Sequence, residues 1–141
     1  VRPAAPAPAW PLGPEPEGLR LTADELALRL DQVALLDARA PERYRGDVEP
    51  LDPVAGHIPG ALNRPFSANL GPDSRFLPPE ALRAAFQGLA GARAVVHQCG
   101  SGVTACHNLL AMAVAGLPGG ALYAGSWSEW CRDPSRPVAR G

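Results

Sequence analysis

A short apolar run, Ala94-Val95-Val96, leads into Cys99-Gly100-Ser101-Gly102-Val103-Thr104, and the residues that follow read as a helix. This order of strand, glycine turn and helix constrains the chain more than any other feature, because it delivers one reactive side chain to a strand-to-helix turn. A helix start leaves backbone N–H groups without intrahelical partners and carries the positive end of the macrodipole, so such a turn stabilises an anion. The Cys99 thiolate is itself such an anion. Two glycines let the backbone curl tightly around the sulfur, and successive N–H groups pointing into the ring form an anion-binding nest. These surroundings favour nucleophilic sulfur at neutral pH. A buried structural cysteine needs no glycine cage, so the loop reads as the seat of a nucleophile.

The rest of the chain alternates short apolar strands with helices. Val33-Ala34-Leu35-Leu36 is a continuous apolar run ending in Asp37-Ala38-Arg39, the pattern of a buried parallel strand with polar residues at its carboxyl end. Ligand sites in open α/β sheets form at such ends. Ahead of it, Thr22-Ala23-Asp24-Glu25 has the capping-box spacing, and Leu26, Leu28 and Leu30 supply the apolar positions of a short helix. Pro41-Glu42-Arg43-Tyr44 starts another. Gly46 and prolines at 50, 53, 59 and 65 then predict loop, with Gly60-Ala61-Leu62-Asn63 as a brief strand inside it. Residues 79–89 form an amphipathic helix, with Pro79 near its first position and Leu82, Ala85, Phe86 and Leu89 on one face. The helix predicted over 104–115 is apolar enough to be largely buried, and Cys106 reads as a small core residue within it. Ala121-Leu122-Tyr123 is a last strand before a helical turn at 126–130. Together these elements predict an α/β domain, a central parallel sheet flanked by helices.

With 141 residues there is room for one domain. Residues 1–18, VRPAAPAPAWPLGPEPEG, are proline-rich and without periodicity, so they are expected to be an extended linker or surface strap ahead of a domain over 19–141. Trp10 either anchors that strap in an apolar groove or lies exposed. A net charge of −1 gives no electrostatic case for nucleic acid or an anionic membrane as partner. No apolar run approaches the roughly 20 residues of a membrane helix, and no signal peptide is evident. Three cysteines, at 99, 106 and 131, make an odd number in no disulfide framework, which fits a reducing, cytoplasmic setting. The chain begins at Val1 rather than Met, as a processed chain or a piece of a longer one would. A zinc site from Cys99, Cys106, His107 and Cys131 lacks closely paired ligands.

Taken together, Asp37-Ala38-Arg39, Gly56-His57-Ile58-Pro59-Gly60-Ala61, the Cys99 loop and Tyr123-Ala124-Gly125-Ser126-Trp127-Ser128-Glu129-Trp130 resemble the rhodanese family of sulfurtransferases over about residues 20–140. The resemblance implies a rhodanese-like three-layer domain and catalysis through a persulfide on Cys99, cradled by Gly100, Ser101, Gly102, Val103 and Thr104, with no metal or organic cofactor. A thiolate attacks the donor's outer sulfur, the product leaves, and Cys99 holds the extra sulfur until a thiophilic acceptor removes it, a ping-pong scheme. The position six after the cysteine is Ala105, which argues against cysteine phosphatases with a C-x5-R loop, since a phosphoryl group there lacks its guanidinium clamp. Rhodanese-like domains also occur as non-catalytic interaction modules, but these commonly lack the cysteine. His57 is expected to fix loop structure, Asp37 to orient Arg39 or a loop amide, and Trp127, Trp130 and Cys131 to be packed.

The small-molecule donor is read from the loop. Family members using thiosulfate typically carry a Cys-Arg-Lys-Gly-Val-Thr pattern, whereas Gly100 and Ser101 make this loop similar to the 3-mercaptopyruvate sulfurtransferase branch, in which the serine orients the donor. A neutral loop is less suited to a small dianion. In that branch two arginines bind the donor. Arg43 matches the first; the second belongs after a Glu-Pro pair, where this chain has Glu49-Pro50-Leu51, leaving Arg45 or Arg64 as substitutes. The acceptor implied is cyanide, a thiol or a thioredoxin-like protein, and a thiosulfate-specific enzyme or a protein-fed persulfide relay remains open. Relatives with this loop are usually tandem proteins, so a companion rhodanese domain is an expected partner.

Overall fold

Four short strands, β1 (Val33–Asp37), β2 (Leu62–Asn63), β3 (Ala94–Gln98) and β4 (Ala121–Leu122), form one parallel sheet in the order β2-β1-β3-β4. The structure is a computed structural model and describes residues 18–117 and 119–141. Gly18 apart, the expected proline-rich strap, with Trp10, lies outside the described residues. All five residues of β1 are buried, as they must be in a strand covered on both faces. β1 and β3 run in register from Val33 opposite Ala94 to Asp37 opposite Gln98. The ladder continues one step further, where Ala38 N donates to Gln98 O at 2.9 Å, so Arg39 and Cys99 emerge together beyond the ends of the two central strands.

Helices α1 (Ala23–Ala27), α2 (Pro41–Arg45), α3 (Pro79–Ala90), α4 (Val103–Val114) and α5 (Ser126–Trp130) surround the sheet, with a 3-10 turn at Phe66–Asn69. On one face Leu35 and Val96 pack against Leu26 of α1, Ile58, and Trp127 and Trp130 of α5. On the other, Ala34, Leu36 and Val95 meet Leu82 and Phe86 of α3 and Ala111 and Met112 of α4. The expected three layers are present. The Thr22 capping box also forms: Glu25 N donates to Thr22 Oγ1 at 3.2 Å and Thr22 N donates to Glu25 Oε2 at 2.8 Å. Pro41 and Pro79 both occupy the first turn of their helices, where the missing N–H costs nothing.

Two expectations are corrected. Helix α1 ends at Ala27, so Leu28 falls past its last turn and is 79% exposed. Helix α4 is not largely buried. It turns Ala105, Asn108, Ala111 and Met112 inward, but Val103, Cys106, Leu110 and Val114 face outward. An outer-layer helix touches the sheet with one stripe only, and the 3.6-residue period carries Cys106 off that stripe. Its thiol is exposed, and Sγ donates to Gly102 O at 3.4 Å.

Candidate active site

A cavity of about 300 Å³ opens at the carboxyl ends of β1 and β3. Cys99, 2% exposed, stands at its base. Its sulfur accepts the Gly102 N–H at 3.1 Å. Gly102 is the N-cap of α4 and has φ +87°, ψ −13°, a left-handed conformation that L side chains resist. A Cβ added there would also stand 2.7 Å from Ala124 O. Glycine is therefore needed twice at this position. The loop is fastened from behind by α5. Cys99 N donates to Ser126 Oγ at 3.1 Å, and that hydroxyl donates to Tyr123 O at 2.9 Å. Trp127 N and Ser128 N donate to Cys99 O and Gly100 O at 3.0 and 2.9 Å. With these carbonyls tied back, the turn keeps its amides on the side of the sulfur. Ser126 holds φ +55° to do this.

The cation beside the loop is Arg43 of α2. A Cβ at Gly100 would lie 3.4 and 3.6 Å from Arg43 Nη1 and Nη2, so the guanidinium covers that residue. Arg43 Nη2 donates to Glu49 Oε1 at 2.7 Å and lies 3.7 Å from Asp52 Oδ2. Glu49 Oε1 also accepts the N–H groups of Leu51 and Asp52, at 3.1 and 3.3 Å. Burial pushes the Glu49 carboxyl up, but the Arg43 hydrogen bond and the two backbone donors outweigh it and leave the group below its ordinary range. Arg39 is engaged elsewhere. Its Nε and Nη2 bind Asp37 at 2.7–3.1 Å, Nη2 reaches Gly56 O at 2.8 Å, and the guanidinium lies 5.0 Å over the Trp127 ring. Asp37 Oδ1 also accepts Arg39's own N–H at 2.9 Å, so it orients Arg39 and a loop amide together.

Ser101, Val103 and Thr104 line the cavity beside Cys99 and Gly100, as does Arg43. Arg45 and Arg64 do not. Two residues on a helix are about 200° apart, so Arg45 points away from Arg43. It is 47% exposed and pairs with Asp47 at 2.8 Å. Arg64 is drawn under the 3-10 turn, where it donates to Asn69 Oδ1 and Ala68 O and lies 5.2 Å over Phe86. Sequence reasoning missed Glu49 and Asp52 as Arg43's anchors, together with Ser128, whose Oγ donates to Asp52 Oδ2 at 2.9 Å. The signal available was the pair of acids flanking Pro50-Leu51. His57 acts on the loop behind the site: its ring stacks on Tyr44 at 3.9 Å, Nδ1 meets Tyr44 O at 2.8 Å, and its backbone pairs with Ala139.

The sequence pattern of the rhodanese-like domain matches residues 22–133. The chain belongs to the rhodanese family. Among its family relatives, a probable 3-mercaptopyruvate sulfurtransferase of Pseudomonas aeruginosa is 59% identical over 128 residues, covering 87% of this chain and 45% of the relative. A putative thiosulfate sulfurtransferase of Mycobacterium tuberculosis is 50% identical over 126 residues, covering 88% and 44%. The chain thus spans under half the length of these curated relatives. In three dimensions it is similar to the Tum1 protein of Saccharomyces cerevisiae, with a TM-score of 0.76, 26% identity, and coverage of 88% of this chain and 47% of that one.

Proposed function

We propose that this rhodanese domain is a sulfurtransferase that carries sulfane sulfur on Cys99, taking it from 3-mercaptopyruvate or thiosulfate and delivering it to cyanide, a thiol or a thioredoxin-like protein. The observation that carries the reading is the Cys99 sulfur seated at the start of α4 with the Gly102 N–H on it, at the base of an open cavity. The sulfurtransferase names of the relatives support it. Backbone amides and the helix start stabilise thiolate and persulfide alike, so no histidine base is required.

With 3-mercaptopyruvate, the Cys99 thiolate attacks the donor sulfur and the sulfur–carbon bond breaks. The electron pair passes to the pyruvate enolate, and the donor thiol's proton ends on carbon. With thiosulfate, the sulfur–sulfur bond breaks and sulfite leaves. Both routes leave Cys99 as a persulfide, which an acceptor nucleophile attacks at the outer sulfur, returning the thiolate. Arg43, held over Gly100, is the group suited to a donor carboxylate, and Ser101 lines the same cavity to orient the donor. Mercaptopyruvate is the favoured donor, because the loop itself offers no cationic side chain.

Intact mass spectrometry after separate incubation with the two donors tests this. The chain is expected to gain one sulfur, faster from 3-mercaptopyruvate, and Cys99→Ser to gain none. A folded chain that takes up no sulfur from either donor would sink the proposal.

A further inference from the structure

Behind Phe66, the cavity wall rests on a polar network in which every hydrogen bond has a fixed direction. Arg64 Nε and Nη2 lie 3.3 and 3.0 Å from one side-chain atom of Asn69. A guanidinium only donates, so that atom is the amide oxygen and Asn69 turns its NH2 toward α4. Arg64 O only accepts, and it takes the NH2 of Asn108 at 3.0 Å, so Asn108 presents its oxygen to Asn69. The two hydrogens of Asn69 Nδ2 then go to Asn108 Oδ1 at 2.6 Å and to His107 Nδ1 at 3.2 Å. Asn69 and Asn108 are both 0% exposed, so a bond lost here is not replaced by water. His107 Nδ1 must therefore be a lone pair, which makes the ring neutral with its hydrogen on Nε2. His57 is the opposite tautomer, because its Nδ1 faces the Tyr44 carbonyl at 2.8 Å.

The His107 ring also stands between two aromatic side chains, Phe66 at 5.4 Å, edge-on, and Phe76 at 4.9 Å. Phe66 opens the 3-10 turn and Asn69 closes it, and Phe66 is the one that reaches the cavity. A proton on Nδ1 sets two donors against each other, and Asn69 cannot answer by flipping, since Arg64 would then meet its NH2. The ring or the turn has to move, and Phe66 is packed on both. The charged and titratable groups on the surrounding elements leave this conflict in place. Arg64 is itself a cation; Asp73 and Arg75, on the turn before Phe76, are exposed and 4.0 Å from each other; Cys106 faces outward onto Gly102 O; and Arg83 of α3 binds Ala115 O at the far end of α4.

We infer, resting on the Cys99 carrier reading, that His107 is a positioning residue for sulfur loading. As the neutral Nε2–H tautomer it locks Asn69, and through the 3-10 turn it holds Phe66 as a wall of the cavity; a proton on Nδ1 unlocks that wall. Loading of Cys99 thereby answers to pH through a ring that is not among the residues lining the cavity. Because Phe66 shapes the space for the donor and is not the nucleophile, the lock acts on donor capture rather than on the transfer of sulfur.

Two variants separate the acceptor from the ring. His107→Phe keeps an aromatic ring between Phe66 and Phe76 but removes the acceptor, whereas His107→Asn places an amide oxygen where Nδ1 stands and cannot be protonated. Single-turnover loading from 3-mercaptopyruvate and from thiosulfate, read by quenched intact mass over donor concentration, is compared at about pH 8 and pH 5, a range in which a histidine changes charge. At the higher pH, His107→Phe should raise the half-saturating donor concentration roughly fivefold, the worth of one hydrogen bond, with the limiting rate little changed, and His107→Asn should restore most of the loss. At the lower pH the parent should fall to the level of His107→Phe while His107→Asn stays above both. Protonation of Cys99, of the donor or of His97 is common to all three chains and cancels in these ratios. Long-range proton–nitrogen NMR of the histidine-labelled parent gives a readout independent of activity: at pH 8 the signal missing from His107→Asn should be an Nε2–H tautomer, and that of His57 an Nδ1–H tautomer. An Nδ1–H tautomer at His107, or variant-to-parent ratios that do not change with pH, overturns the inference and leaves Cys99 as carrier. No loading of the folded parent from either donor overturns the carrier reading, and the role of His107 with it.

Discussion

Gly102 joins the backbone's needs to those of the sulfur: its left-handed φ starts α4, and that same turn aims its N–H at Cys99 Sγ. Gly102→Ala should therefore lose about 1–3 kcal/mol of stability, measurable by urea denaturation, because the new methyl meets Ala124 O while φ is strained. Alkylation of Cys99 by iodoacetamide should slow along with it as the N–H swings off the sulfur. His97 supplies a second residue-level prediction. It is fully buried on β3, with Nε2 2.9 Å from Met112 Sδ, and burial pushes its imidazole down to about 4. The folded state then binds fewer protons than the unfolded chain between the ordinary histidine value near 6.5 and pH 4. Stability is full above that window and falls as pH drops through it, by about 3 kcal/mol at most. His97→Gln should flatten the urea midpoint across pH 6.5 to 4; a slope equal to the parent's would refute the assignment.

Among the elements, α1 depends most on its ends. It has five residues, too few to persist without its cap and its docking on the core, so Thr22→Ala should cost about 1 kcal/mol in chemical denaturation. That cap was legible in the sequence because a capping box is local, and so were Pro79 at the start of α3, the apolar run of β1 and the turn before α4. What was not legible depends on neighbours distant in sequence. Nothing within 104–115 tells which stripe of an apolar helix meets the sheet, so Cys106 was read as core and is exposed. The 3-10 turn that brings Phe66 to the cavity is held by Asn69, which donates to Asn108 of α4 at 2.6 Å, a contact no window of sequence contains. The Cys99 loop could be found from its own residues; the cavity wall around Arg43 could not, because Glu49, Asp52 and Ser128 meet Arg43 and one another only after the loop between β1 and β2 has folded back on α5.

Over the whole molecule, one buried charge joins parts that sequence keeps far apart. Arg39 leaves the end of β1, pairs with Asp37, reaches Gly56 O in the long loop and Glu49 at 3.4 Å, and lies on Trp127 of α5. Arg39 is 3% exposed and Asp37 0%, so neither charge has recourse to water. A buried pair of this kind adds little net stability when intact, but losing one partner strands the other. Arg39→Leu should therefore cost about 3–5 kcal/mol, a large share of the roughly 5–15 kcal/mol that holds a domain of this size. Arg39→Lys should recover only part of it, since an ammonium cannot bind the Asp37 carboxylate and Gly56 O as one planar fork. The double variant Asp37→Asn with Arg39→Leu separates the causes. If the stranded carboxylate dominates, the double variant is more stable than Arg39→Leu alone, giving a coupling of at least about 1 kcal/mol in a denaturation cycle. If the lost ties to Gly56 and Trp127 dominate, the two losses add, and Arg39 serves chiefly as the strut that keeps the loop bearing Glu49, Leu51 and Asp52 pressed against α5 beside Cys99.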